Sequence, residues 1–453
     1  MLQEIPEKRN PNHVSVRVNA KAALAAAPAE TPRAGVIFGG GVIMKRVLVL
    51  LILAVVLAGT VSAQSLEMYY YKQEIQAGLK TLTDAFTKEN PGITISLLIV
   101  PNDADATMSA RAAAGTLSEI LEMQSYSRVF EYAQKGYLVD LSKAPVMAKV
   151  IDSAKPAVTW NGKQWAVPMD FAGIGIVYNK DIFAKYKLQP PTTYRDLERV
   201  VKTLSDNGVT PFAGLLKENW SIGHFITMVH TTLLAEKKIA APQFVADMNA
   251  GKTTFGVVDT GKLFSVIDFY KANMDTNAQE MAYSEQASAF AAGKEAMMVQ
   301  GLWSYGAAID ANPNLNAGFI PFPVSNTASV NKFYADVDST FGISSQASAP
   351  KQAAARKFIE WLATPAAVKI WTRDCKLTSD FKGADQSALK SPFGDLMGTV
   401  GKNGAYPWAF SMYPTNVFED GAKNGALAYV FGKKTAADVI ADMDRMWAES
   451  LKK

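Results

Sequence analysis

The sequence is poor in the residues on which metal sites, disulfides and many catalytic centres depend. Its 453 residues include one cysteine, Cys375, and three histidines. One cysteine cannot form an internal disulfide, and His224 and His230 are six positions apart, which does not place them side by side on a helix. We find no recognisable metal-ligand spacing, no G-x-S-x-G motif and no glycine-rich phosphate loop. The sequence therefore predicts no metal, no other cofactor and no catalytic site of these kinds.

Most of the chain also has no excess of positive over negative residues. The formal net charge of +4 comes from residues 1–46, which hold seven Lys or Arg and three Asp or Glu. From residue 64 onward the chain carries 39 basic and 39 acidic residues. This balance gives no electrostatic footprint for nucleic acid or for an anionic membrane, so we expect neither as a partner.

One segment has no charge at all, and it predicts export. Residues 47–63 are uncharged, follow two basic residues and end in the small residues Val61-Ser62-Ala63. This combination is typical of a secretory signal peptide, whereas an apolar run of about 17 residues is at the short limit for a membrane span. We predict a signal peptide over residues 44–63, cleaved after Ala63, and a periplasmic protein. Residues 1–43 are then an upstream extension that is not native.

Strand and helix patterns alternate in the first part of the exported chain. They predict a strand over residues 66–71, a helix over 73–89, a strand over 93–100, a helix over 108–117 and a strand over 120–123. This order is typical of an α/β lobe with a mostly parallel sheet. Because 453 residues are too many for one ordinary core, we expect two domains.

Later patterns predict further helices. Thr192 or Thr193 is the expected N-cap of a helix that runs to Leu204. Residues 351–371 form one predicted helix and residues 436–451 another.

The stretch GKQWAVPMDFAGIGIVYNKDIF, residues 162–183, places a carboxylate inside an apolar strand. Trp165 and Val167 point to one side of this strand, and Pro168 and Asp170 point to the other. Proline lacks a backbone donor, so the strand is an edge or a crossover. We interpret the stretch as a strand that leaves one lobe, presents Asp170 to a ligand in a cleft and enters a second lobe.

Several short pieces carry a family resemblance through their order. They are residues 86–93, 162–163, 166–168, 178–183, 188–197, 290–298 with Gly301 and Trp303, 321–323 and 354–362. In this order, after a signal peptide, they resemble the family 1 extracellular solute-binding proteins of ABC importers, the sugar-binding group that includes maltose-binding protein. The resemblance covers nearly all of residues 65–450. One departure is Ser118-Glu119, where the family commonly has Pro-Asp.

The resemblance implies an α/β class with the two-lobed type II periplasmic-binding-protein fold. Each lobe would have a mainly parallel sheet flanked by helices, and hinge strands would join the lobes. The implied boundaries are residues 64–171 plus 339–377 for the N-terminal lobe and residues 172–338 plus 378–453 for the C-terminal lobe. The chain would cross near residues 169–173, near 335–340 and a third time near 376–382.

The resemblance also implies a function without catalysis. The protein would capture a sugar or oligosaccharide between its lobes by hinge closure and deliver it to the permease of an ABC import system, acting as a monomer. Two alternatives stay open: an exported glycoside hydrolase, for which Asp170 and Asp336 could supply the two carboxylates, and a binding protein for another polar solute.

Carboxylates and strand ends supply candidate polar contacts to a sugar, whose hydroxyl groups both donate and accept hydrogen bonds. Asp170 fits by its position, with a hinge-capping acid as the alternative. Asp336 and Asp338 lie two residues apart on one face of an extended strand, and a local turn or cap is the alternative for one of them. Four further candidates lie where α/β sheets bind ligands: Lys72, Gln73, Glu74 and Gln124.

Aromatic side chains can stack on the weakly apolar face of a sugar ring. Trp220, Trp303 and Trp408 lie in predicted loops or at element ends, where binding residues concentrate. We therefore select them as candidate ligand contacts, with a loop anchor as the alternative. Core packing is the expectation for Trp165, Trp361, Trp371 and Trp447.

The signal peptide gives the first testable prediction. If translation starts at Met44 and cleavage follows Ala63, N-terminal sequencing of the exported protein will begin at Gln64. A mature chain that retains residues 1–43 would contradict the prediction.

Overall fold

The computed structural model describes residues 63–100, 104–389 and 391–452. The predicted upstream extension, residues 1–43, and all but the last residue of the predicted signal peptide lie outside this part of the chain. No helix within the described ranges has both the length and the apolar character needed to cross a membrane.

The described strands form two larger sheets and one short hairpin. In chain order they are β1 (Gln64–Tyr70), β2 (Ile93–Ile99), β3 (Ile120–Gln124), β4 (Thr159–Trp160), β5 (Lys163–Gln164), β6 (Val167–Pro168), β7 (Phe171–Asn179), β8 (Thr210–Ala213), β9 (Glu295–Gly301), β10 (Ala317–Ile320), β11 (Tyr334–Val337) and β12 (Ser339–Ile343).

Helices cover the sheets. The α-helices are α1 (Gln76–Glu89), α2 (Ala104–Ala113), α3 (Ser127–Gln134), α4 (Val146–Lys149), α5 (Lys180–Lys185), α6 (Tyr194–Asp206), α7 (Asn219–Glu236), α8 (Ala241–Asn249), α9 (Thr260–Ala272), α10 (Tyr283–Ala291), α11 (Tyr305–Ala311), α12 (Ala349–Leu362), α13 (Pro365–Ile370), α14 (Ser391–Asn403), α15 (Ala409–Met412), α16 (Gly425–Val430) and α17 (Ala436–Ser450). Short 3₁₀ segments span Gln73–Ile75, Asp152–Val158, Phe255–Val257, Leu302–Ser304 and Ala328–Val330, and π segments span Trp371–Cys375 and Val417–Asn424.

The first sheet has the order β2-β1-β3-β12-β6. Its parallel core agrees with the predicted alternation of strands and helices. Strands β1 and β2 are parallel, and α1, which connects them, buries Leu79, Leu82 and Phe86 completely. Strand β6 lies at the edge, where Pro168 pairs only with Thr340 of β12. The edge position predicted from Pro168 is confirmed, since proline removes one ladder hydrogen bond.

The second sheet has the order β10-β7-β9-β8, with β11 also paired to β7. Here the expected mainly parallel arrangement is wrong, because β7 is antiparallel to β9, β10 and β11. The reason is the path of the chain. Strand β7 enters this sheet directly from the first one, and β11 leads directly back to the first, which accounts for the antiparallel pairing of β7 with β11.

Two short crossings connect the sheets, between β6 and β7 and between β11 and β12. They are hydrogen bonded to each other, because Asp338 N donates to Asp170 O at 2.9 Å and Met169 N donates to Ser339 O at 2.9 Å. A third segment joins them, since Asp380 N donates to Met169 O at 3.0 Å. These bonds bring Asp170 and Asp338, the acids of the two crossings, close together in the interior, where both are buried.

Local sequence signals explain several element ends. Thr193 caps α6 with a reciprocal capping box, in which Asp196 N donates to Thr193 Oγ1 and Thr193 N donates to Asp196 Oδ2. The predicted continuous helix over 351–371 is wrong. Pro365 cannot continue the preceding helix, so α12 ends at Leu362 and α13 begins at Pro365.

A helix contact gives a stability prediction. A Cβ at Gly78 of α1 would lie 2.6 Å from Cys375 N and 2.6 Å from Cys375 Sγ, too close for the backbone to accept without a shift. We expect Gly78→Ala to lower the free energy of unfolding by roughly 1–3 kcal/mol, measured by urea denaturation. The matched control is Gly394→Ala in α14, where the added methyl meets nothing within 4 Å; it should stabilise by about 0.5–1 kcal/mol. Equal effects of the two substitutions would refute this packing account.

Candidate functional site

A cavity of about 490 Å³ lies between the carboxyl ends of β1 and β3 on one side and the start of α7 on the other. This is a size that suits a small-molecule ligand. Eight of the ten residues selected from the sequence line it: Lys72, Gln73, Glu74, Gln124, Trp220, Trp303, Asp338 and Trp408. Asp170 and Asp336 are not among its lining residues.

Aromatic rings form one side of the cavity. We call Trp220, Tyr283, Trp303 and Trp408 the aromatic wall. The Trp220 and Tyr283 rings are 5.5 Å apart, and the Trp303 and Trp408 rings meet at 90° with centroids 6.0 Å apart. His224 lies between these two pairs, 5.7 Å from Trp220 and 6.0 Å from Trp303. The wall therefore presents flat apolar surfaces in more than one orientation.

Hydrogen bonds hold the first pair of rings in place. Trp220 Nε1 donates to Glu218 Oε2 at 2.6 Å, and Tyr283 N donates to Glu218 Oε1 at 3.0 Å. One carboxylate thus connects the beginnings of α7 and α10. Because both of its oxygens accept hydrogen bonds, Glu218 orients the rings and is itself satisfied.

The second pair of rings depends on a glycine and a buried acid. A Cβ at Gly301 would lie 2.1 Å from the Trp303 ring, so only glycine lets the indole fold back over the backbone. Trp408 Nε1 donates to Tyr334 O at 2.8 Å, and Trp408 N donates to Asp336 Oδ2 at 3.3 Å. Both tryptophans are largely buried, with 8% and 1% of their surface exposed.

Another part of the lining is charged, and we call Lys72, Glu74, Glu122 and Asp338 the acidic end. Lys72 Nζ lies 2.5 Å from Asp338 Oδ2 and 3.7 Å from Asp170 Oδ2. Although burial acts to lower the pKa of Lys72, these two carboxylates raise it above its usual value, so the ammonium stays charged. The Lys72 ammonium group therefore balances the charges of both Asp338 and Asp170.

Two glutamates of the acidic end lack such a close cation. Burial raises the pKa of Glu74 and that of Glu122 to about 7, and Lys72 offsets this only in part. Glu122 Oε2 accepts a hydrogen bond from Tyr71 N at 3.0 Å. Its Oε1 has no hydrogen-bond partner within the described ranges, although the Ser339 hydroxyl is close enough to lower the pKa slightly.

A second charged group borders the cavity. Arg128 on α3 is buried, and its Nη2 lies 2.7 Å from Asp105 Oδ2 and 2.7 Å from Glu419 Oε1. Its Nη1 also donates to Thr415 Oγ1. Lys423 lies 2.8 Å from the second oxygen of Glu419. The cations of this group are thus matched by carboxylates.

The structure corrects the expected positions of two acids. Asp170 is 1% exposed, not presented in a cleft, because its Oδ1 accepts the Ser339 N–H at 3.0 Å and its Oδ2 faces Lys72. Asp336 accepts hydrogen bonds from Tyr126 Oη at 3.1 Å and Val337 N at 2.8 Å in addition to Trp408. Burial raises the pKa of each acid to about 6. Both brace the crossings, as the hinge-capping alternative for Asp170 anticipated.

The structure also places residues in the lining that sequence reasoning did not select. Glu122 could have been found by the signal that selected Asp170, an acid inside an apolar strand. Arg128, His224 and Tyr283 reach the cavity through helix packing, for which the sequence has no local signal. Burial lowers the pKa of His224 to about 3, so its ring is neutral. Its Nε2 has no partner within the described part of the chain.

Among the described residues, no group of three or more His, Cys, Asp or Glu has the geometry to hold a metal ion.

Comparison with known proteins identifies the family. The sequence model of the bacterial extracellular solute-binding proteins matches residues 63–369, which is most of the chain. The protein belongs to this family, as the order of its motifs predicted.

Relatives of known name agree with this assignment. The chain is 25% identical over 310 residues to the multiple sugar-binding protein of Streptococcus mutans, covering 67% of this chain and 72% of the relative. It is 24% identical over 307 residues to the melibiose/raffinose/stachyose-binding protein of Bacillus subtilis, covering 66% of this chain and 70% of the relative.

Solved structures agree in fold. A chitin oligosaccharide binding protein aligns with a TM-score of 0.75 at 20% identity, over 86% of this chain and 99% of that one. A solute-binding protein in complex with raffinose aligns with a TM-score of 0.74 at 22% identity, over 86% of this chain and 100% of that one. The predicted two-lobed α/β solute-binding fold is confirmed.

The raised pKa of Glu122 gives a prediction about stability and pH. With a folded pKa of about 7 against an ordinary value of 4.5, the folded protein keeps a proton that the unfolded chain loses in this window. The free energy of unfolding therefore falls as pH rises through it. Glutamine does not titrate, so Glu122→Gln removes this loss. The free energy of unfolding of the variant, relative to that of the parent, should rise by on the order of 2 kcal/mol between about pH 5 and about pH 8.

Urea denaturation at several pH values measures this gain. Glu198→Gln, an equal change of charge at an exposed position of α6, serves as the control and should show no gain that grows with pH. A parent–variant difference for Glu122→Gln that is constant with pH would show that its carboxyl group does not titrate in this window.

Proposed function

We propose that this protein is the carbohydrate-binding component of an ABC import system, which captures a sugar or oligosaccharide in the cavity and delivers it to a membrane permease. The family assignment supports a solute-binding role. The names of the two relatives support sugars as the class of solute.

The observation that carries the proposal is that the lining of the cavity combines an aromatic wall with charged and amide side chains. A pyranose has an apolar face that stacks on aromatic rings and a rim of hydroxyl groups that need acceptors and donors. We propose that Trp220, Trp303 and Trp408 stack on the sugar. Lys72, Gln73, Glu74, Gln124 and Asp338 then bind its hydroxyl groups, because charge-assisted hydrogen bonds are the stronger ones.

Binding without catalysis is part of the proposal. The hydrolase alternative needed Asp170 and Asp336 beside the substrate, but both are buried and neither is among the residues that line the cavity. Their hydrogen bonds to the backbone favour a role in holding the crossings over one in acid–base chemistry. A binding protein for another polar solute is the second candidate, and the aromatic wall argues against it.

The proposed mechanism is closure of two lobes on the ligand. We assign residues 64–171 plus 339–377 to one lobe and residues 172–338 plus 378–453 to the other, because the chain passes between the sheets near Asp170 and Asp338. Under this division Lys72, Glu74 and Glu122 belong to the first lobe, whereas Asp338 and the aromatic wall belong to the second. A ligand that touches both favours the closed state by its differential affinity.

Location and partners complete the proposal. We infer that the protein is exported by residues 44–63, acts in the periplasm as a monomer, and has the permease and the sugar, but no nucleic acid, as partners. The family assignment supports an extracytoplasmic location.

A thermal-shift screen of monosaccharides and oligosaccharides tests the function, because a bound ligand raises the apparent stability by mass action. Calorimetric titration of the best ligand, together with an assay for new reducing ends, separates binding from hydrolysis. We expect saturable heat without turnover. Turnover would favour the hydrolase, and a screen in which no saccharide binds would overturn the proposal.

The aromatic wall gives a mutational prediction. Trp303→Ala should weaken binding of the best sugar at least several-fold, roughly 1 kcal/mol or more, because a stacking surface is lost. Circular dichroism checks that the fold is intact. The matched control is Trp160→Ala, a half-buried tryptophan of β4 outside the cavity, which should bind as the parent does. Unchanged affinity of Trp303→Ala would remove this indole from the site.

A further inference from the structure

We propose that the solute carries a positive charge, as a protonated amine on a sugar, and that Glu74 and Glu122 of the acidic end receive it. This inference rests on the proposed function and makes it more specific. The ligand class is an amino sugar or an oligosaccharide that contains one.

The balance of charge in the cavity is the first argument. Its lining includes seven carboxylate side chains and three cations, Lys72, Arg128 and Lys423. Each cation of this described lining is already paired: Lys72 with Asp338, and the other two with Glu419. An anionic sugar would therefore meet a negative surface with no uncommitted cation.

The acidic end concentrates this excess. Besides Asp338 and Asp170, the charges of Glu122 and Glu74 also act on Lys72. One ammonium thus balances the charge of four carboxylates, of which those of Glu122, Asp170 and Asp338 are buried. Burying unpaired carboxylates is costly, and a neutral ligand that displaces the remaining water would increase the cost.

Glu122 supplies an independent indication of a ligand. Its side chain lines the cavity and is 1% exposed. Its Oε2 accepts a backbone N–H, while Oε1 has no hydrogen bond of ordinary geometry among the described residues, although the Ser339 hydroxyl is near enough to this carboxyl group to lower its pKa. A carboxylate oxygen that accepts nothing is unusual in a folded protein. An ammonium group, with three donors and no acceptor, would satisfy it.

Glu74 faces the same space from the start of the Gln73–Ile75 segment. It lies close to the aromatic wall, because its charge adds to burial in raising the pKa of Tyr283. Tyr283 Oη also has no hydrogen-bond partner within the described ranges. An amine between Glu74 and this ring would gain both an ion pair and a cation–π contact.

The protonation of the acidic end is consistent with this inference. Burial raises the pKa of Glu74 and that of Glu122 to about 7, so near neutral pH the site lowers its excess charge by taking up protons. A ligand cation would replace these protons and permit both carboxylates to ionise.

Matched saccharides test the inference. Calorimetric titration at about pH 6 compares oligosaccharides of glucosamine, N-acetylglucosamine and glucose of equal length and linkage, together with the galactosamine and galactose pair. The amine is charged in the first form, and the acetylated form keeps the nitrogen without the charge. We expect the amine form to bind roughly ten-fold or more tightly than its hydroxyl and acetylated counterparts, as one added charge-assisted hydrogen bond predicts.

A variant locates the effect. Glu74→Gln should reduce the ratio of amine to hydroxyl affinity roughly five-fold or more, because the amine form loses an ion pair where the hydroxyl form loses only one acceptor of a hydrogen bond. A general structural defect would weaken both forms alike. Glu198→Gln on α6, which changes the net charge equally outside the cavity, should preserve the ratio.

The possible failures are distinguishable. If hydroxyl forms bind as tightly as amine forms, the inference is wrong while the proposed sugar-binding function stands. If Glu74→Gln preserves the ratio, the placement of the amine at Glu74 is wrong. If no saccharide of any form binds, the proposed function fails, and this inference fails with it.

Discussion

The arrangement of the two sheets and the cavity depends on the ion pairs that the Lys72 ammonium group makes with Asp338 and Asp170. This group projects from the end of β1 and lies 2.5 Å from Asp338 and 3.7 Å from Asp170, the acids at the two crossings between the sheets. Removing one partner of such a buried group leaves an uncompensated charge, which is far more costly than the pair is favourable. A single side chain therefore joins the first sheet to both connections that leave it.

This arrangement couples the connections to the cavity. Lys72 and Asp338 line the cavity, while Asp170 lies behind them and fixes the Ser339 backbone. A ligand that changes the charge near Lys72 also changes the balance of forces at the crossings. The candidate site and the crossings thus share one set of buried charges, so a charged ligand would act on the same groups that hold the crossings together.

Much of the fold could be predicted from the sequence, because β1, α1 and the Thr193 cap depend on patterns within a few residues. Lys72 and Glu74 were also predicted at a binding site, because they follow the end of a strand, and both line the cavity. The burial of Asp170 could not be predicted, since it depends on Ser339, 169 positions away. The aromatic environment of His224 could not be predicted for the same reason, since its neighbours Phe410 and Phe418 come from a distant part of the sequence.

The close approach of Gly301 to the Trp303 ring constrains how the site can diversify. A side chain at position 301 is incompatible with the indole, whereas a smaller residue at 303 would free the space for one. The order of changes therefore matters: position 303 must vary before position 301 can. Related proteins that keep Trp303 must also keep Gly301. An aromatic side chain can therefore appear at position 301 only after Trp303 has been replaced.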